Sequence, residues 1–202
     1  MRANAQDAGS AQYVADIDVS IASTHECAAS IDVCLARQTI EESTYTACMG
    51  KLWRVRGMLL GLKRSGSNQM REEFGVYGKP QFPFMVLDMY GFALEAVHWV
   101  QCLVDELKPK AKVCRKLDIS TTGTVLNIAE GHGRSSVADQ NRFMKIAQKH
   151  AYQLLLMLDL MVARNEISSI RIGGVKDTQS RVISMLQAWC TSNENRAEEN
   201  IG

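Results

Sequence analysis

The chain has 202 residues, 46% of them hydrophobic and 22% charged, with a formal net charge of +1. That length supports one sizeable core, or one core with an appended piece, and the composition is that of an ordinary globular protein. No apolar stretch approaches the ~20 residues of a membrane-spanning helix. The near-zero charge speaks against a polyanion binder that acts through bulk charge alone.

Residues 1–10 are small and polar, and a disordered N-terminus is expected there. A first helix is expected from near Ala11 to Arg37, with Val19, Cys27, Ile31 and Cys34 or Leu35 on its apolar side. A turn follows over 38–43, then a second helix from Tyr45 to Lys63 whose face is Cys48, Leu52, Val55, Leu59 and Leu62, at spacings of three and four. Together, residues 11–64 read as a helical hairpin.

Residues 65–82 form the clearest linker, with Gly66, Gly75, Gly78 and Pro80 as punctuation and Pro83 just beyond. Beyond it, Phe84 to Leu107 is amphipathic and ends at Lys108-Pro109, because proline disfavours helix at the residue before it. Lys116 to Glu130 comes next, with Gly131 as its expected left-handed C-cap. Ser136 followed by Asp139 is an N-cap pattern that opens a long helix to Arg164. Ile172 to Trp189 is the last expected helix, and 193–202 is expected to be a disordered acidic tail. Four segments with one apolar stripe each and short connections make 83–192 an antiparallel four-helix bundle. No run of β-branched residues alternates with a period of two, so the expected fold class is all-α.

Displacing the sequence by 127 positions lays part of it over itself. Ile31–Ile40 then falls on Leu158–Ile167, and Arg54-Val55 and Met58-Leu59 fall on Arg181-Val182 and Met185-Leu186 without a gap. The N-terminal hairpin therefore reads as a partial repeat of the last two bundle helices. Such a half unit has an apolar face that it cannot bury alone. It must pack on the complete bundle or on another protomer.

Six cysteines are irregularly spaced, without a C-x-x-C pair, and no signal-peptide pattern opens the sequence. They read as small buried hydrophobes in a reducing cytosol, and the protein as soluble and cytoplasmic. Zinc is not indicated: His25 and Cys27 fall on different helix faces, and His98, His132 and His150 have no second ligand at usable spacing.

The net charge hides an asymmetry. Residues 1–50 carry a net −5 and 194–202 a net −2, which leaves +8 on 51–193. Two groups hold much of it. Lys51, Arg54, Arg56, Lys63, Arg64 and Arg71 occur with no acid between 51 and 71, though not on one helical stripe. Lys108, Lys110, Lys112, Arg115 and Lys116 surround Pro109, more cations than a helix end requires, and they are the expected phosphate contacts. Trp53, Trp99 and Trp189 lie inside apolar helix patterns and read as core or interface rather than base-stacking platforms, and Met144, Met157, Met161 and Met185 as core filler.

The segment Asn127-Ile128-Ala129-Glu130-Gly131-His132-Gly133-Arg134-Ser135-Ser136, followed by Asn141-Arg142-Phe143-Met144-Lys145-Ile146-Ala147, carries a family resemblance. It resembles the four-helix-bundle family known from intervening sequences in bacterial large-subunit ribosomal RNA genes, whose hallmark is N-I-A-E-G-x-G-R, then Ser and an R-F-x-x-I-A stretch. Leu87-Asp88-Met89-Tyr90 is similar to that family's first helix and Val182–Met185 to its last. Ala22-Ser23 with Glu26 is similar to its small-residue and acid pattern, where the complete unit has Lys149, His150 and Gln153. The resemblance implies a non-enzymatic bundle that assembles as a homo-oligomer, often a pentamer-like ring. A related branch, the accessory protein of diversity-generating retroelements, binds a reverse transcriptase and nucleic acid through a basic surface.

Read from the residues alone, Gly131 and Gly133 permit a tight reversal, Asn127 and Glu130 satisfy helix-end groups, and Arg134 pairs with Glu130. A Glu130–His132 acid/base pair is the catalytic alternative. No nucleophile with a neighbouring base, no phosphate loop and no metal set is visible. The expectation is a non-enzymatic, cofactor-free oligomeric scaffold for RNA, DNA or a nucleoprotein. The competing expectation is a structural or protein-interaction module with no nucleic-acid affinity.

Overall fold

A computed structural model describes residues 11–66 and 81–199. Residues 1–10, 67–80 and 200–202 lie outside the described residues, and with them the expected disordered N-terminus, most of the expected linker and the very end of the expected tail.

The described chain is all-helical: α1 (Ala11–Ala36), α2 (Glu42–Gly66), α3 (Asp88–Leu107), α4 (Ala111–Gly133), α5 (Val137–Ala163) and α6 (Ser169–Glu199), with a short 3-10 turn at Pro83–Val86. Two ends form as local chemistry dictates. Ser136 accepts the Asp139 backbone N–H at 3.2 Å and opens α5. Lys108 caps α3 in the left-handed region at φ 45°, just before Pro109.

α4 is the central element. It packs on α5 along most of its length and on α1 and α3 at its other flanks, while α6 closes against α5 and α3. α2 rests on α1, at the outside of the molecule. One core cluster joins α1 and α2 to Phe82, Phe84, α3, α4, the first half of α5 and α6; the other fills the opposite end, among α3, the start of α4, the end of α5 and the start of α6.

Several expected features differ, each for a packing reason. α4 starts at Ala111 rather than Lys116 and runs through Gly131 to Gly133, so Gly131 is helical and no C-cap. Both glycines serve close approach instead of chain reversal. A Cβ on Gly133 would lie 2.7 Å from Ala22 Cα and 2.9 Å from His25 Nδ1, and one on Gly131 would press on Phe143 and Met144.

α6 starts at Ser169, contains Gly173 and Gly174, and continues past Trp189 to Glu199, so 193–199 is helix and not a disordered tail. Asn193 anchors this extension, buried and donating to Asn141 Oδ1 at 3.0 Å. Of the expected linker, 65–66 finish α2, and Phe82 is fully buried against His25, Trp53 and Phe84.

The apolar side of α1 is also not the expected one. Val19 and Cys27 are exposed and Ile31, Cys34 and Leu35 half-buried; the buried face is Ile17, Ile21, Ala22, Thr24, His25, Ala28, Ala29, Asp32 and Val33. Its polar members are satisfied across the core. Asp32 accepts from Tyr45 Oη at 2.9 Å and from Tyr90 Oη at 2.6 Å, which ties α1 to α2 and α3. Of the cysteines only Cys190 is buried; Cys27 and Cys102 are exposed and Cys34, Cys48 and Cys114 half-buried, all as free thiols. The four methionines do fill core space, with Met144, Met157 and Met161 buried and Met185 half-buried.

The 127-residue displacement has structural counterparts. α1 ends at 36 and α5 at 163, and α2 begins at 42 and α6 at 169. Gln38 and Asn165 both have φ 57°. The Thr39 N–H reaches Cys34 O at 3.0 Å, and the Glu166 N–H reaches Met161 O at 2.9 Å. Both turns are Schellman closures. The outer surroundings differ, however: His25, Ala29 and Val33, buried on α1, fall on Tyr152, Leu156 and Leu160, which are exposed on α5.

Candidate nucleic-acid interface

The structure gathers Lys108, Lys110, Lys112, Arg115 and Lys116 at one end of the molecule, around the α3–α4 connection and the first turns of α4. All five are exposed, and none forms an ion pair or side-chain hydrogen bond with another described residue. They surround the N-terminus of α4, whose unpaired backbone N–H groups add a positive partial charge. Arg115 lies on the rim of a groove between α3 and α4 floored by Val97, Val100 and Val104. Arg37, from α1, closes this groove by donating to Thr122 Oγ1 at 2.6 Å and pairing with Asp118.

Two further arginines belong to this end. Arg164 is exposed at the cap of α5, and Arg171 at the start of α6 pairs with Glu106 of α3. Neither stands out in the sequence, because their proximity to the cluster comes only from antiparallel packing.

The other basic group is dispersed. Arg56 turns inward and donates Nε–H to His25 Nε2 at 3.2 Å, and Lys63 pairs with Asp18 at 2.5 Å. Lys51 and Arg54 are exposed, and Arg71 lies outside the described residues.

The 127–134 segment sits at the far end of α4 from the basic cluster, roughly 30 Å away at 1.5 Å per helical residue. Asn127 Nδ2 donates to Gly123 O at 2.7 Å, within the helix rather than at its end. Glu130 is buried and paired with Arg134, whose guanidinium lies 4.8 Å from the Phe143 ring centre. Burial raises the Glu130 carboxyl above its usual range, and the Arg134 bond opposes this.

Two residues on, His132 points elsewhere. Its ring is 6.2 Å from that of His25 and 6.1 Å from that of Trp189. Glu130 and His132 thus do not converge on one point in space. Burial holds His132 below the usual imidazole range, and burial with Arg56 and His132 nearby brings His25 down to about 4. At neutral pH both rings are uncharged members of an aromatic cluster with Phe82, Phe84 and Trp53.

Trp53, Trp99 and Trp189 are half-buried, each at the edge of a core cluster. Among the described residues no group of three or more His, Cys, Asp or Glu side chains is placed to hold a metal ion. No described helix is long and apolar enough to cross a membrane.

Fold and surface define an all-helical protein with a cationic end. No protein-family model, curated protein or solved structure matches the chain.

Proposed function

We propose that the chain is a non-catalytic, oligomeric helical scaffold that presents its cationic end to RNA, DNA or a nucleoprotein such as a reverse transcriptase. Its architecture on this reading is a four-helix bundle, α3–α6, preceded by the hairpin α1–α2 as a repeat of α5–α6. The matched helix ends, Schellman turns and left-handed residues at a displacement of 127 support the repeat. The resemblance of 127–147 to the intervening-sequence bundle family supports the class.

The observation that carries the functional reading is the set of five exposed cations without acidic partners at the start of α4. Phosphate contacts need side chains of this kind, and each contact adds salt-sensitive affinity. The test replaces Lys108, Lys110, Lys112, Arg115 and Lys116 jointly by glutamine and titrates structured RNA and duplex DNA at two salt concentrations. Weaker binding with a flatter salt dependence is expected. Equal affinity of variant and parent overturns the reading.

A second reading has its own support. Apolar side chains are exposed on α2 and on α5, as on a protein-interaction module without nucleic-acid affinity. Absence of binding to either nucleic acid at low salt favours that module.

A further inference from the structure

The groove between α3 and α4 has the size of a small planar group, not of a partner helix. Its floor runs from Val97 to Val104, two turns of α3, or about 10 Å of helix. The groove encloses about 340 Å³. Two turns of a helix roughly 10 Å across would fill on the order of 850 Å³. Small-molecule clefts span about 300–1,000 Å³, so the volume suits one small ligand. Val97 and Val100 are buried and Val104 half-buried, which makes the floor apolar.

The rim is polar and its mouth is cationic. Gln101 donates its amide to Asp105 Oδ1 at 2.9 Å, which leaves its carbonyl oxygen as an acceptor on the rim. Arg115 adds an exposed planar cation. Lys108 lies one turn beyond Val104 on α3, and Lys112 one turn before Arg115 on α4. At the other end Arg37 closes the groove through Thr122 and Asp118.

We infer that this groove takes up one unpaired base of a single-stranded nucleic acid whose phosphates lie on the five cations. The inference deepens the nucleic-acid reading and rests on it.

Charge and size together select this occupant. None of the five cations is engaged by another described residue, so their charge is available to a ligand. An apolar slot that opens on cations suits a planar body with anionic groups outside it, which is the form of a nucleotide. Five cations exceed what one phosphate needs, so the neighbouring nucleotides of a strand account for the rest. In a duplex the bases are paired and stacked and do not reach such a slot. An unpaired base can turn out of the strand and enter.

The full chain is titrated by fluorescence anisotropy, at one low salt concentration, with a labelled strand of about ten nucleotides. The same strand in a blunt duplex and the same backbone without bases are the comparisons. The single strand should bind at least about tenfold more tightly than either. Val104→Glu should lower the ratio of single-strand to duplex affinity about tenfold, because its added charge acts on both forms while the blocked groove acts on one.

Equal affinity for strand and duplex, or for strand and abasic backbone, overturns the inference and leaves the nucleic-acid reading in place. Absence of binding to any of them overturns both. An unchanged ratio in a Val104→Glu variant that circular dichroism shows to be folded removes the groove from the site. If that variant is unfolded, the abasic comparison on the parent chain decides. Displacement of the strand by free adenosine monophosphate at equal nucleotide concentration overturns the strand as occupant in favour of a single nucleotide.

Discussion

Arg56 donates its Nε–H to Nε2 of His25 at 3.2 Å, so the two helices of the hairpin are joined by a bond that requires an unprotonated imidazole. Protonation would remove the acceptor and set one cation against another. His25 is only 3% exposed, and its pKa lies at about 4 against an ordinary 6.5. A lowered folded-state value means that the unfolded chain binds the proton more readily between those limits. The contribution of this group is fully present above pH 6.5 and is lost as the pH falls towards 4, a difference of roughly 3 kcal/mol. Urea midpoints measured from pH 7.5 to 4 should fall across that window, and His25→Phe should flatten the fall.

Glycines at 133 and 173 should respond oppositely to alanine. At Gly133 the new methyl meets backbone, Ala22 Cα at 2.7 Å, and α1 must move away, at a cost of about 1–3 kcal/mol. Nothing lies within 4 Å of a Cβ at Gly173, inside α6, so Gly173→Ala should stabilise by up to about 1 kcal/mol. Thermal denaturation of the two variants checks both signs.

Tyr90→Phe removes the 2.6 Å donor to Asp32 and leaves a buried carboxylate with Tyr45 alone. Burial already raises the Asp32 pKa against the pull of both tyrosines, so losing one should raise it further. The expected loss is about 1–3 kcal/mol at neutral pH. The folded state would then hold its proton to higher pH, so the deficit should shrink on acidification through the carboxylate range. Chemical denaturation at pH 7 and pH 5 measures both.

Gln38 and Asn165 each sit at φ 57°, where glycine is strain-free. Gln38→Gly and Asn165→Gly should both stabilise, by about 0.5–1 kcal/mol, with the larger gain at Gln38 because asparagine tolerates this conformation better than glutamine. Equal or reversed effects in thermal melts would contradict the strain argument.

Local signals carried much of the architecture. Ser136 with Asp139, Lys108 before Pro109 and the 127-residue self-match each place helix ends that the structure contains. The face of α1 was not legible, because alanines and polar residues bury it. Ala22, Ala28 and Ala29 permit close packing with little apolar signal, and His25, Thr24 and Asp32 read as solvent-facing until their partners on other helices are known. Meanwhile Cys27, Ile31 and Cys34, exposed or half-buried, stand at the 127-residue displacement from the buried Leu154, Leu158 and Met161, so the spacing they share points to a face that α1 does not bury.

At the basic end, the five cations between 108 and 116 were visible as a run. The contribution of Arg37, Arg164 and Arg171 depends on which helix ends meet, which composition does not encode. For Gly131 and Gly133 the residue types were plain, but their purpose was not: a glycine at a helix end suits a cap and a tight contact equally well, and only the position of α1 separates the two.

The contact between Gly133 and Ala22 also bears on how such a chain diverges. Any descendant that keeps the first helix in place is barred from acquiring a side chain at 133, whereas one that sheds the hairpin regains that freedom. Presence of the leading segment and a glycine at this position should therefore be inherited as a single trait, and lineages lacking the one should drift at the other.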